Sequence, residues 1–154
     1  MLRATLAVIV GYLAMAIAVF VTLTLAWLAL GPGFAFKAGT TEVTLGWIAI
    51  NLPLSFACAV LGGWVTARIA RRPGPVKALA VVILVLGLGM ALAHIFMDDP
   101  AASGETADRA TSGTLSSFEA ASEAIQPPWY NFVIPFVGVA GVLLGGRRGR
   151  SRVG

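Results

Sequence analysis

Two places in this chain hold residue types that could do chemistry. The first is Asn51-Leu52-Pro53-Leu54-Ser55, a polar interruption in an otherwise apolar run. Pro53 has no amide proton to offer the carbonyl of Ala49, and its ring displaces that carbonyl, so a helix through this point is expected to kink and free an acceptor. The Asn51 amide or a neighbouring helix could satisfy it. A broken helix carrying Asn51, Pro53 and Ser55 at one depth suits a substrate or ion site. The simpler alternative is a proline kink beside a polar side chain that makes one interhelical bond. Transporter sites commonly add further polar or charged groups at that depth, and the run holds no charge.

The second place is His94 with Asp98 and Asp99. His94 and Asp98 are four residues apart and share a face if a helix continues through them. A carboxylate there could hold the imidazole for proton transfer, or the group could bind a cation. Structural metal sites take about four protein ligands, so the alternative is an interfacial histidine beside the acids of a loop. Cys58 is the single cysteine, which excludes an intrachain disulfide and a cysteine-based metal cluster and leaves it as a small packing residue. No nucleophile with a base, phosphate loop or histidine pair for haem can be assembled from the remaining residues, so neither catalysis nor a cofactor is expected.

The elements that carry these residues follow from composition. Of the 154 residues, 58% are hydrophobic and 12% charged, too little polar surface to cover a water-soluble globule. Long apolar runs predict an all-α, integral membrane four-helix bundle in a single domain, with helices over about 4–30, 44–70, 76–97 and 129–146 and an outer loop over 98–128. The first run is longer than a cleaved signal segment and stops at Gly31-Pro32-Gly33, so it reads as an uncleaved span.

Direction comes from charge. Arg68, Arg71, Arg72 and Lys77 crowd a corner broken by Pro73-Gly74-Pro75, and Arg147, Arg148, Arg150 and Arg152 end the chain. With both termini cytoplasmic, only Lys37 and Arg109 among the eleven basic residues fall outside, together with all seven acidic ones, as the positive-inside bias requires. Localisation in a cell inner membrane is the expectation. The basic residues have no interleaved aromatics, so the formal charge of +4 points to orientation in a lipid bilayer and not to nucleic acid. The arginine tail reads as a stop signal ahead of a specific headgroup site.

Small residues suggest how the helices meet. Ala14, Ala18, Thr22 and Ala26 line one face of the first helix, and Ser55, Ala59, Gly63 and Ala67 one face of the second. These two stripes are expected to pack on each other. Gly141 and Gly145 repeat the spacing in the last helix. Trp47 precedes Pro53 as Trp129 precedes Pro135, and Leu61-Gly62-Gly63 and Leu144-Gly145-Gly146 follow, each leading to arginines. That order suits a duplicated helical hairpin, or features that any helix running outside to inside collects.

The outer loop divides in two. Its first part is rich in Ala, Ser, Thr and Gly and reads as a linker. Ser116-Ser117-Phe118-Glu119 then has capping-box spacing, and Leu115, Phe118, Ala121 and Ile125 recur three or four apart, which predicts a short amphipathic helix with an acidic polar face.

Gly11-Tyr12-Leu13, Glu42-Val43, Leu61-Gly62-Gly63, Ala67-Arg68-Ile69-Ala70 and a final Trp129 helix closing on Leu144-Gly145-Gly146-Arg147 resemble small four-span bacterial inner-membrane proteins of unknown function. The resemblance covers most of the chain except the outer loop. It implies a bacterial setting and carries over no activity and no site residues. The leading expectation is a non-enzymatic accessory or assembly component of a membrane complex, in contact with lipid and with other membrane proteins or further copies of itself. The rivals are a small transporter or channel at Asn51, Pro53 and Ser55, and an outer-surface metal or proton site at His94, Asp98 and Asp99.

Overall fold

The computed structural model describes residues 2–37, 42–70, 72–97 and 125–151. They form five helices: α1 (Leu2–Leu30), α2 (Pro32–Ala35), α3 (Leu45–Ala70), α4 (Pro73–Met97) and α5 (Pro128–Ser151). All but the short α2 are long and apolar enough to cross a membrane, and their outward faces keep side chains such as Phe20 and Met90 more than half exposed. Water would not tolerate so much uncovered apolar surface, whereas lipid is its natural solvent. The predicted amphipathic helix lies outside the described residues except for its last member, Ile125, which is not helical: its backbone is drawn into a bridge with Glu42 instead.

Local chemistry sets the helix ends. Gly31 stops α1 in the left-handed region at φ 73° and returns its N–H to the Trp27 carbonyl at 2.9 Å, a turn that a residue with a Cβ resists. Thr44 caps α3. Its Oγ1 accepts the Trp47 N–H at 3.1 Å and donates to the Phe34 carbonyl at 2.6 Å, which satisfies a first-turn donor and ties α3 to α2. Pro73-Gly74-Pro75, expected to precede the third span, instead forms its first turn. The first N–H groups of a helix have no partner within it, so proline is tolerated there. The last span continues past Gly146 through Arg147 and Arg148 to Ser151, where cations suit the negative end of the helix dipole.

Between α1 and α3 the chain builds a small cap. Phe36 and Val43 form an antiparallel bridge, Glu42 and Ile125 a parallel one, and the Val43 N–H reaches the Ile125 carbonyl at 3.1 Å. Lys37 and Glu42 make an exposed ion pair at 2.7 Å. The cap closes over Ala35, Phe36, Val43, Ile48 and Tyr130, against which Trp27 and Trp47 pack. A second cluster, with Ala59, Ala67, Leu79 and Val142 fully enclosed, fills the end where the arginines lie.

In the bundle α3 is central, touching α1 on one side and, most extensively, α5 on the other, while α4 packs on α5. This changes the pairing of the small-residue stripes. Ala59, Gly63 and Ala67 face α5 and not α1: a Cβ at Gly63 would collide with the Val142 carbonyl oxygen, and one at Gly141 or Gly149 would come within 2.7 Å of the Ala59 Cβ or 2.8 Å of the Ala67 Cβ. The physical reason is size. Glycines on α5 let two backbones touch, which the alanines of α1 cannot match. Helix α1 instead meets α3 through Gly11, whose hydrogens face Thr66 and the Gly62 carbonyl. Ala14 and Ala18 are half-buried beside that contact.

The α3–α5 contact is reciprocal. Gly63 lies on Val142, and Gly145 lies on Val60. Ala59 with Gly141 and Ala67 with Gly149 have the sequence separation that relates Trp47 to Trp129 and Pro53 to Pro135, and the reciprocal pairs Gly63 with Val142 and Val60 with Gly145 fall three residues short of it and three beyond. The two helices therefore run parallel and meet about a local twofold axis, the arrangement that a duplicated hairpin with its axis along the membrane normal produces.

Candidate functional site

The polar stretch of α3 lies under the cap. Helix α3 continues through Pro53, whose ring is exposed on the outside of the bundle. Asn51 and Ser55, one turn apart, are half-buried, and the Ser55 hydroxyl donates to Asn51 Oδ1 at 2.9 Å. The Asn51 side chain is therefore bonded within its own helix, in the i to i+4 geometry that a helix face provides, and Pro53 points away from both. Of the three residues expected to form a membrane site, two come together and the third does not.

The structure adds Tyr130 to this place. Its side chain is 1% exposed, packed with the cap and with Ile48, and among the described residues its hydroxyl has no hydrogen-bond partner. The Asn51 side chain is close enough to act on this hydroxyl, although the pair does not meet full hydrogen-bond geometry. An unpartnered buried hydroxyl costs about 1–3 kcal/mol. In sequence Tyr130 reads as a headgroup anchor beside Trp129. Trp129 fits that role, 51% exposed, while the backbone pairing of Val43 with Ile125 draws the cap across Tyr130. Its burial depends on three chain segments meeting, and no local pattern announces it.

A carboxamide, an alcohol and a phenol can hold a hydrogen-bonding group, but none is a strong acid, base or nucleophile at neutral pH. The remaining buried polar atoms serve packing. Thr66 donates to the Gly62 carbonyl at 2.9 Å. Thr22 returns its hydroxyl to its own helix at Ala18 and Val19 and lies 3.4 Å from Cys58 Sγ, so the buried cysteine joins α1 to α3. His94 belongs to the last turns of α4; Asp98 and Asp99 lie outside the described residues, as do residues 100–124 of the loop that follows them. No protein-family model, curated protein or solved structure matches the chain.

Proposed function

We propose that the protein is a non-enzymatic accessory or assembly component of a membrane complex, set in a bacterial inner membrane with both termini in the cytoplasm. The observation that carries this reading is the contact between α3 and α5. Gly63 on Val142 and Gly145 on Val60 bring backbone against backbone, so this interface is taken up by direct helix packing. Asn51 and Ser55 bond to each other, so the polar stretch also has a packing explanation.

Charge supports the orientation. Arg3, Arg68, Arg72, Lys77, Arg147 and Arg148 belong to one end of the bundle, and Glu42 to the cap at the other, which under the positive-inside bias makes the arginine end cytoplasmic. The contact surface for a partner is then the outer segment, through the apolar side chains of Leu115 and Phe118 and of Ile125, which is 46% exposed at the cap. Exchanging those three residues for serine should abolish copurification of partners from native membranes in mild detergent. Asn51→Leu and His94→Phe should leave it unchanged. Recovery of the same partners with the triple variant would contradict the proposal.

One observation favours a second reading, a transporter or channel for small uncharged solutes. The sealed, unpartnered Tyr130 hydroxyl beside Asn51 is a costly feature that a bound polar group would relieve. Vesicles reconstituted with the protein should, on this reading, take up solutes in a way that Asn51→Leu and Tyr130→Phe both abolish. On the accessory reading they remain as tight as empty vesicles.

A further inference from the structure

The helix ends that carry the arginines are brought together by packing. The last turn of α3 meets α5 where Gly149 lies on Ala67 and on the Trp64 carbonyl, and the first turn of α4 meets α5 where Gly146 lies on Val76. Exposed basic residues adjoin both contacts: Arg68 and Arg148 beside the first, Lys77 and Arg147 beside the second, with Arg72 in the corner that joins α3 to α4. Glycine at both contacts allows the three helix ends that carry these cations to approach closely. Arg148 is engaged within the chain, and the Arg68 guanidinium lies 4.5 Å over the Trp64 ring. That stacking holds one cation beside an indole, a residue favoured at the membrane–water interface. Among the described residues the acidic side chains are confined to Glu42 in the opposite cap.

We infer that the corner between the ends of α3, α4 and α5 is a binding site for the phosphate of an anionic phospholipid. Guanidinium groups match phosphate oxygens with paired hydrogen bonds, and the corner joins spans whose outer faces already meet acyl chains. A phosphodiester whose tails lie along those faces satisfies both demands, which a dissolved phosphate cannot. The inference rests on the reading of the four helices as membrane spans and is independent of the accessory role.

The test is thermal unfolding of the full-length protein in a neutral detergent, with phosphatidylglycerol, phosphatidylcholine or dissolved glycerol phosphate added at matched concentration. Phosphatidylglycerol should raise the melting temperature by about 5 °C, as a ligand well above its Kd does for a protein of this size. The shift should collapse at about 0.5 M salt, where charges are screened within a few ångströms. Phosphatidylcholine and glycerol phosphate should give little. Arg68→Gln/Arg147→Gln, and separately Arg72→Gln/Lys77→Gln, should lose most of the shift, while Arg147→Lys and the distant Lys37→Gln keep it. Equal shifts from the two lipids, an equal shift from glycerol phosphate, or a full shift in both double variants would overturn the inference. A phosphatidylcholine-stabilised bundle with no preference for phosphatidylglycerol would sink this site while leaving the membrane reading intact.

Discussion

Replacing Gly63 by alanine adds one methyl group at the centre of the α3–α5 contact. That carbon would collide with the Val142 carbonyl oxygen and stand 2.8 Å from both its carbon and its Cα. Neither obstacle is a side chain that can turn away, so the helices must separate by about 1 Å at this level. The separation loosens Gly141 on Ala59, Gly145 on Val60 and Gly149 on Ala67 as well, because all four levels belong to one interface. Gaps of that size forfeit about a quarter to a half of each dispersion contact. Overpacking costs about 1–3 kcal/mol, and alanine returns about 0.5–1 kcal/mol through its better helix propensity, which leaves a net loss of about 1–2 kcal/mol. Gly63→Leu should cost more. Gly145→Ala meets the reciprocal obstacle in Val60, so the double variant should fall short of the sum of the singles by about 1 kcal/mol: once the helices are apart, the second methyl has room. The control is Gly89→Ala, where an added Cβ meets nothing within 4 Å, and which should be neutral or slightly stabilising. The assay is reversible unfolding in mixed detergent micelles. Equal stability of Gly63→Ala and Gly89→Ala, or strictly additive effects of Gly63→Ala and Gly145→Ala, would refute the backbone contact.

Three further outcomes are expected. In a Cys58→Ser background, a membrane-impermeant thiol reagent should label Gly104→Cys and miss Ser151→Cys in intact cells; the opposite pattern would reverse the proposed orientation. Tyr130→Phe removes a buried hydroxyl without a partner and should stabilise the bundle by about 1 kcal/mol, so a clear loss of stability would mean that the hydroxyl is bonded. Lys37→Gln breaks an ion pair whose side chains are 60% and 50% exposed and should change stability by less than about 1 kcal/mol, as the same unfolding measurement would establish.

The spans were legible because hydropathy is a property of one stretch at a time: the apolar runs and the helices agree closely, and departures are confined to ends where proline at a first turn and arginine at a last turn are tolerated. Which faces meet was not legible. Gly62 and Gly63 are adjacent in sequence and about 100° apart around the helix, yet one serves α1 and the other α5, so a stripe of small residues does not name its partner. The constant separation of Trp47 from Trp129 and of Pro53 from Pro135 was the signal that could have paired α3 with α5, since Ala59 with Gly141 and Ala67 with Gly149 share it and the other two facing pairs are placed symmetrically about it. At the candidate site, Asn51 and Ser55 stood out as polar residues in an apolar run. Tyr130 did not, because its burial is produced by backbone pairing among Phe36, Val43 and Ile125 across the chain, which leaves no periodic trace.

The central claim is that the outer segment, and not the interior of the bundle, is where the protein acts. A photo-crosslinking amino acid placed at Phe118 in living cells tests it most directly. The predicted result is a discrete adduct with another membrane protein that disappears when Leu115 and Ile125 are changed to serine and persists in Asn51→Leu and Tyr130→Phe. A Phe118 position that yields no adduct, in a protein whose reconstituted vesicles take up solute only while Asn51 and Tyr130 are intact, would contradict it.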